Sequence, residues 1–264
     1  MKSLLRLSAL AIIAVLGCPG EGQRAGDIDV LAAQQEGLAT VSVRGIDLEQ
    51  LSVEVSSSEA GVIVIPVGTV FASSSVGTQT MMAAKTIRVV FPGEPGQRYE
   101  VPQVQTVEVD VYCLNRMLKA PTPESEFTVV AGGGEQQPVR VLATCLETQD
   151  AEHSARQLAI WMTSDGFLGM SEDEVRQQLR AGLEAELEAS LSSPEKLAML
   201  RDSMPGLSDE DLQQILNNPV LRDTVLAEAR SGVETEIARY KTEARALLEA
   251  CQVDLSAARF FQEG

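Results

Sequence analysis

The side-chain period changes near residue 146, and that change limits the folds open to this chain. From residue 38 to residue 145 apolar and polar side chains alternate at a period of two, the signature of half-buried strands. Val41 and Val43 alternate with Thr40, Ser42 and Arg44, and Leu51, Val53 and Val55 alternate with Ser52 and Glu54. Residues 61–66 form a buried-type run, and 86–91, 105–112 and 127–130 extend the series. Ser, Pro and Gly clusters at 56–58, 92–96 and 132–134 separate the segments. Short strands at this spacing predict an antiparallel β-sandwich over 38–146. Beyond it the period becomes helical. Ser171 and Glu174 are placed as a capping box ahead of Val175, Leu179, Leu183 and Leu187. Ser193-Pro194, Ser208 with Asp211, and Asn218-Pro219 are further helix starts. Leu226, Val233, Ile237, Tyr240, Ala244, Leu247 and Cys251 then mark one apolar stripe. The expected fold class is α+β: an antiparallel β-sandwich followed by an acidic, mostly α-helical region over 147–264.

The first 17 residues carry a different signal. Lys2 and Arg6 form a basic start, and residues 7–16 are apolar except for Ser8. That stretch is too short to span a bilayer and reads as a cleaved export signal. The closing residues Val15-Leu16-Gly17-Cys18 resemble a bacterial lipobox. The resemblance implies cleavage before Cys18 and acylation of Cys18 itself. Each buried methylene contributes about 0.8 kcal/mol, so two or three acyl chains hold a protein at a membrane where one does not. Pro19, not Asp, follows the cysteine, which in a cell with two membranes implies the outer one. Residues 18–37 are small, polar and Gly-rich and read as a tether. No second membrane span is expected.

Removal of Lys2 and Arg6 deepens the formal charge from −17 to −19, and residues 146–264 hold 23 acids against 11 bases. A field of that sign repels phosphate backbones, so nucleic acid is not expected as a partner.

Little in the chain points to catalysis. His153 is the sole histidine, with no G-x-S-x-G element to supply a nucleophile. No Ca²⁺-loop pattern and no C-x-x-C pair is present, and no metal or cofactor is expected. Gly132-Gly133-Gly134 lacks the Lys-Ser/Thr that a phosphate cradle needs and reads as a loop. With Cys18 acylated, Cys113, Cys145 and Cys251 remain, an odd number for an oxidising compartment. Cys251 sits on the apolar stripe and reads as a buried thiol. Cys113 and Cys145 each close a strand-like pattern. A disulfide between them would close a loop of about 33 residues and stabilise by roughly 2–4 kcal/mol.

A second assignment for Cys113 comes from a resemblance. Val111-Tyr112-Cys113-Leu114-Asn115, with Lys119-Ala120-Pro121 downstream, and Arg156-Gln157-Leu158-Ala159-Ile160-Trp161 resemble two motifs of the thioester domains of bacterial surface adhesins. The resemblance implies that Cys113 and Gln157 are the thioester partners, formed when a thiolate displaces ammonia from a buried carboxamide. Arg156 stands where that family has Thr, and the matching segments are short. Residues 161–166 and 246–254 are similar to a broad group of uncharacterised exported bacterial β domains. That likeness implies a helical insertion over 171–235. Residues 212–222 resemble the short helical repeats of heat-shock-organising co-chaperones, a likeness that two helices joined at Asn-Pro also produce.

The sequence therefore leads to an expectation with one alternative. The chain is expected to be an exported, lipid-anchored cell-envelope protein, a binding or structural module rather than an enzyme. Its expected partners are the membrane, through lipid on Cys18, and another envelope or extracellular protein. The alternative is a covalent adhesin using Cys113 and Gln157.

Overall fold

The computed structural model describes residues 27–116, 118–178, 181, 214, 217–256 and 258–261. Cys18, the export signal, Ser193-Pro194, Ser208 with Asp211 and most of the 171–235 insertion lie outside the described residues. The fold is α+β. In chain order it comprises β1 (Asp27–Asp29), α1 (Val30–Gln35), β2 (Ala39–Gly45), β3 (Gln50–Glu59), β4 (Gly61–Ile65), β5 (Val70–Ser73) and β6 (Met81–Ala83). These are followed by β7 (Ile87–Phe91), β8 (Arg98–Cys113), β9 (Glu126–Val130), α2 (Gln137–Leu146), α3 (His153–Ser164) and a long helix, α4 (Pro219–Ala250).

The expected antiparallel sandwich gives way to a closed barrel, in the order β2-β3-β8-β6-β5-β9, beside a three-stranded sheet β1-β4-β7. Closure depends on β9, which pairs with β2 through Val43↔Phe127 and with β5 through Phe71↔Val129. Alternation along each strand does the rest. Leu51, Val53 and Val55 of β3 are fully buried and stand opposite Val109, Val107 and Gln105 of β8. Gly45 ends β2 where a Cβ would meet the Thr122 carbonyl oxygen at 2.3 Å, so only glycine fits that approach. β1 runs parallel to β4, so the β part is not wholly antiparallel.

Two sequence expectations fail at the ends of the β region. Residues 27–35, expected as tether, fold as β1 and α1. Asp29 caps α1 by accepting from the Leu31 and Ala32 N–H groups, while Val30 and Ala33 enter the barrel core. Residues 141–145, expected as a strand end, lie within α2. The pattern there is ambiguous because Val139, Leu142, Ala143 and Leu146 also fall on one helical face, and those four are buried.

The helix signals fare better. Ser171 and Glu174 form the capping box, with the Ser171 N–H donating to Glu174 Oε2 at 2.6 Å and the Glu174 N–H to Ser171 Oγ at 3.3 Å. Asn218 caps α4 by accepting from the Val220 N–H at 3.0 Å, with Pro219 in the first turn. From the predicted stripe, Tyr240, Ala244 and Leu247 are buried.

Two apolar cores result. One fills the barrel and the space under the small sheet, drawing on residues between Val30 and Phe127. The other lies between the barrel wall and the helices, where Val70, Met82, Ala84, Tyr112 and Leu114 meet α2, α3, α4 and the 3₁₀ turn at 259–261. Trp161 is half-buried and packs against both.

Candidate functional site

β8 ends at the seam between these cores, and its last residues divide between them. Tyr112 and Leu114 face the helices, whereas Cys113 belongs to the barrel core. That split follows from the period of two. The same alternation sets the backbone. The Val111 N–H donates to the Glu49 carbonyl at 2.8 Å, and the Leu114 N–H donates to the Thr80 carbonyl on the opposite side at 2.9 Å. The backbone of Cys113 therefore points to the β3 side, but the chain has turned away there: the Ile46 and Asp47 N–H groups fold back onto the Gln50 carbonyl.

Gln157 fills the gap. Its Oε1 accepts from the Cys113 N–H at 2.9 Å, and its Nε2 donates to the Cys113 carbonyl at 3.0 Å. One carboxamide stands in for the peptide unit that β3 no longer supplies. Cys113 is 2 % exposed and Gln157 6 %, so both polar groups of the buried strand end are satisfied from α3. Ala155, Leu158, Ala159 and Ile160 bury the face of α3 that aims Gln157 at β8.

The thiol itself is quiet. Cys113 Sγ lies 3.4 Å from the Leu48 carbonyl oxygen, as a weak donor. Burial pushes the thiol up to about 12; Arg116 opposes that shift, and Glu49 and Asp165 reinforce it. At neutral pH the group is a protonated thiol, and the thiolate is the nucleophile. Arg116 is itself held by α3. Its backbone N–H donates to Asp165 Oδ2 at 3.1 Å, and its guanidinium carbon lies 5.3 Å from the centre of the Trp161 ring. Burial raises the Asp165 carboxyl above its ordinary value.

The expected Cys113–Cys145 disulfide is not formed. Cys145 bonds to Cys251, with Cα atoms 5.7 Å apart and a sequence separation of 106, and Cys113 is free. The physical reason is placement. Cys145 is on a helix outside the barrel, and Cys113 faces into it. The expectation that Cys251 is a buried thiol fails with it, because the end of the apolar stripe lies beside the end of α2. The other expected pair, Cys113 with Gln157, is brought together.

His153 opens α3 and stacks on Tyr112, with ring centres 5.4 Å apart. Burial holds it below its ordinary value, against the pull of Glu49 and Asp110. Among the described residues the Tyr112 hydroxyl and Arg156 Nε have no hydrogen-bond partner in good geometry. Arg156 lies close enough to the Tyr112 hydroxyl to oppose the rise that burial causes in it. Glu152 at the head of α3 accepts from Arg239 at 2.7 Å and from the Tyr240 hydroxyl at 2.9 Å, joining α3 to α4. Sequence reasoning did not find Arg116, Asp165 or Glu152; ordinary surface charges carry the same residue types.

Among the described residues no group of three His, Cys, Asp or Glu side chains could hold a metal ion, and no helix is long and apolar enough to cross a membrane. The chain matches no protein-family model, no curated protein and no solved structure.

Proposed function

We propose that this chain is an exported, lipid-anchored cell-envelope protein that works as a binding or structural module without turnover. The observation that carries the proposal is the Cys145–Cys251 bridge, because structural disulfides persist in oxidising compartments. It supports the export signal at residues 1–17 with a feature that signal does not contain. The resting state of Cys113 supports the module reading, since its thiol is neutral, sealed and bonded to backbone. The proposed partners are the membrane, through lipid on Cys18 (in a two-membrane cell, the outer membrane), and another envelope or extracellular protein. The acidic charge argues against nucleic acid. Cys18→Ser should move the protein from the membrane fraction to the soluble envelope fraction or block its processing. Unchanged processing and unchanged membrane fractionation would end the proposal.

A second reading, the covalent adhesin, is favoured by one contact. The Cys113 N–H on Gln157 Oε1 is placed to stabilise negative charge on that oxygen if the thiolate attacks the side-chain carbon, and the Cys113 carbonyl holds the nitrogen that would leave as ammonia. Intact mass separates the readings. Relative to the reduced polypeptide, the disulfide alone removes about 2 Da, and a thioester removes a further 17 Da or so as ammonia. A loss of only 2 Da, unchanged by methylamine, leaves Gln157 a structural residue.

A further inference from the structure

We infer that the Cys145–Cys251 bridge is a redox-operated seal on the Cys113 thiol. The thiol faces the barrel core, and the end of β8 is covered by α3 through Gln157 and Trp161. The sulfur's own contact is the Leu48 carbonyl in the β2–β3 turn; α3 is the neighbour joined to α4, so its lifting is the route to the sulfur that the bridge can govern. Behind α3 lies α4, where Tyr240, Ala244, Leu247 and Leu248 share a core with Leu158, Ile160 and Met162. The Glu152 contacts to Arg239 and Tyr240 tie the first turn of α3 to the middle of α4. The far end of α4 is fixed by the bridge, since Cys251 is its C-cap and Cys145 lies in the last turn of α2. Anchor, backing helix and covering helix thus form one chain of contacts ending over Cys113.

Both bridge cysteines are half-buried, not sealed, whereas Cys113 is enclosed. The bridge is therefore within reach of a reductant while the Cys113 thiol stays enclosed. A dithiol of the Cys-x-x-Cys class supplies the electrons. Its thiolate attacks one bridge sulfur, the Cys145–Cys251 bond breaks, and a mixed disulfide forms. Its second thiol then resolves that species. Cys145 and Cys251 end as protonated thiols, and the reductant leaves as its own disulfide, oxidised by two electrons. With the bridge open, the end of α4 is free to leave α2, and openings of α3 become more frequent. The inference does not rest on the thioester reading, since it concerns access to the sulfur in either state.

The test uses the full chain. Alkylation of Cys113 by iodoacetamide is followed by peptide mass spectrometry, with and without prior reduction, alongside amide exchange of β3 and β8. Reduction should accelerate alkylation at least about tenfold while β3 exchange stays unchanged, as expected of a local opening. A Cys145→Ser/Cys251→Ser double variant should show the fast rate without reductant. If that variant does not fold, the comparison of oxidised and reduced wild type decides. An unchanged alkylation rate, or one that rises only in step with β3 exchange, would overturn the inference. If Cys113 and Gln157 prove to be joined, methylamine incorporation at Gln157 replaces alkylation in the same comparison.

Discussion

In the barrel, Leu51, Val53 and Val55 reach the core because their own strand alternates, and each meets a partner fixed by the β3–β8 register. In the helical layer, Phe260, Leu248, Ile160 and Leu142 meet only because four separate stretches of chain arrive at one place. The two cores also differ in dependence. The fully buried members of the barrel core all come from residues 30–127, so it could form without α2, α3 or α4. The helical core includes Val70, Met82, Ala84, Tyr112 and Leu114 and has no floor without the barrel. Stability should therefore be hierarchical, with the helices resting on the barrel and not the reverse.

The largest test of that hierarchy is a pair of truncations. Phe71→Ala in the barrel should cost about 3–5 kcal/mol and release amides in both layers together, by native-state hydrogen exchange. Phe260→Ala should cost a similar amount locally but leave β3 protected. Equal release of both layers by Phe260→Ala would show a single cooperative unit.

Gln157→Leu removes the two hydrogen bonds that join α3 to the end of β8. It strands the buried N–H and carbonyl of Cys113, and the cost should be about 2–4 kcal/mol in denaturant unfolding. Gln157→Glu should cost less for the N–H than for the carbonyl, since a carboxylate accepts but does not donate. A loss no larger than a surface substitution would remove Gln157 from the seam.

A smaller effect should appear with pH. His153 is held below its ordinary value of 6.5 in the folded state, first by burial. Between the folded and unfolded values the unfolded chain binds the extra proton, so this contribution to stability is present above about pH 6.5 and is lost as pH falls. Its place in the first turn of α3 adds to the cost, because a helix N-terminus disfavours a cation. His153→Asn should flatten stability against pH between 7 and 5, relative to wild type. An unchanged slope would place the acid sensitivity elsewhere.

The smallest effect belongs to the outer part of β8. Val104 is 53 % exposed on a stretch that pairs with β3 on one side, while β6 pairs only with residues 111–113 on the other. Val104→Thr should change stability by no more than about 0.5 kcal/mol. Pro102 lies on the same stretch, as proline does where a sheet ends.

These differences also explain what could be read from the chain. β2, β3, β4, β7, β8 and β9 were legible because Val41–Val43, Leu51–Val55 and their counterparts repeat at a period of two. Barrel closure was not, because between β9 and β8 the ring also needs β5 and β6, which have four and three residues and too few alternations to register. β1 and α1 were hidden by a Gly-rich, polar approach, although Asp29 is an ordinary helix cap. Cys113 and Gln157 were found as a pair through motif resemblance. The Cys145–Cys251 bond was missed because an apolar stripe explains a cysteine equally well as packing, and helix ends meet in space by rules that sequence spacing does not contain.

Trp161 is the only indole in the chain, and it stands between the two cores. The molecule therefore carries a single built-in optical probe at the plane where its layers part. One face of that probe is crossed by the Arg116 guanidinium, and its Nε1 is buried with no hydrogen-bond partner among the described residues. Its emission colour reads the wetness of the seam alone, unmixed with signal from any second tryptophan, so the parting of helices from barrel can be watched in the unlabelled protein.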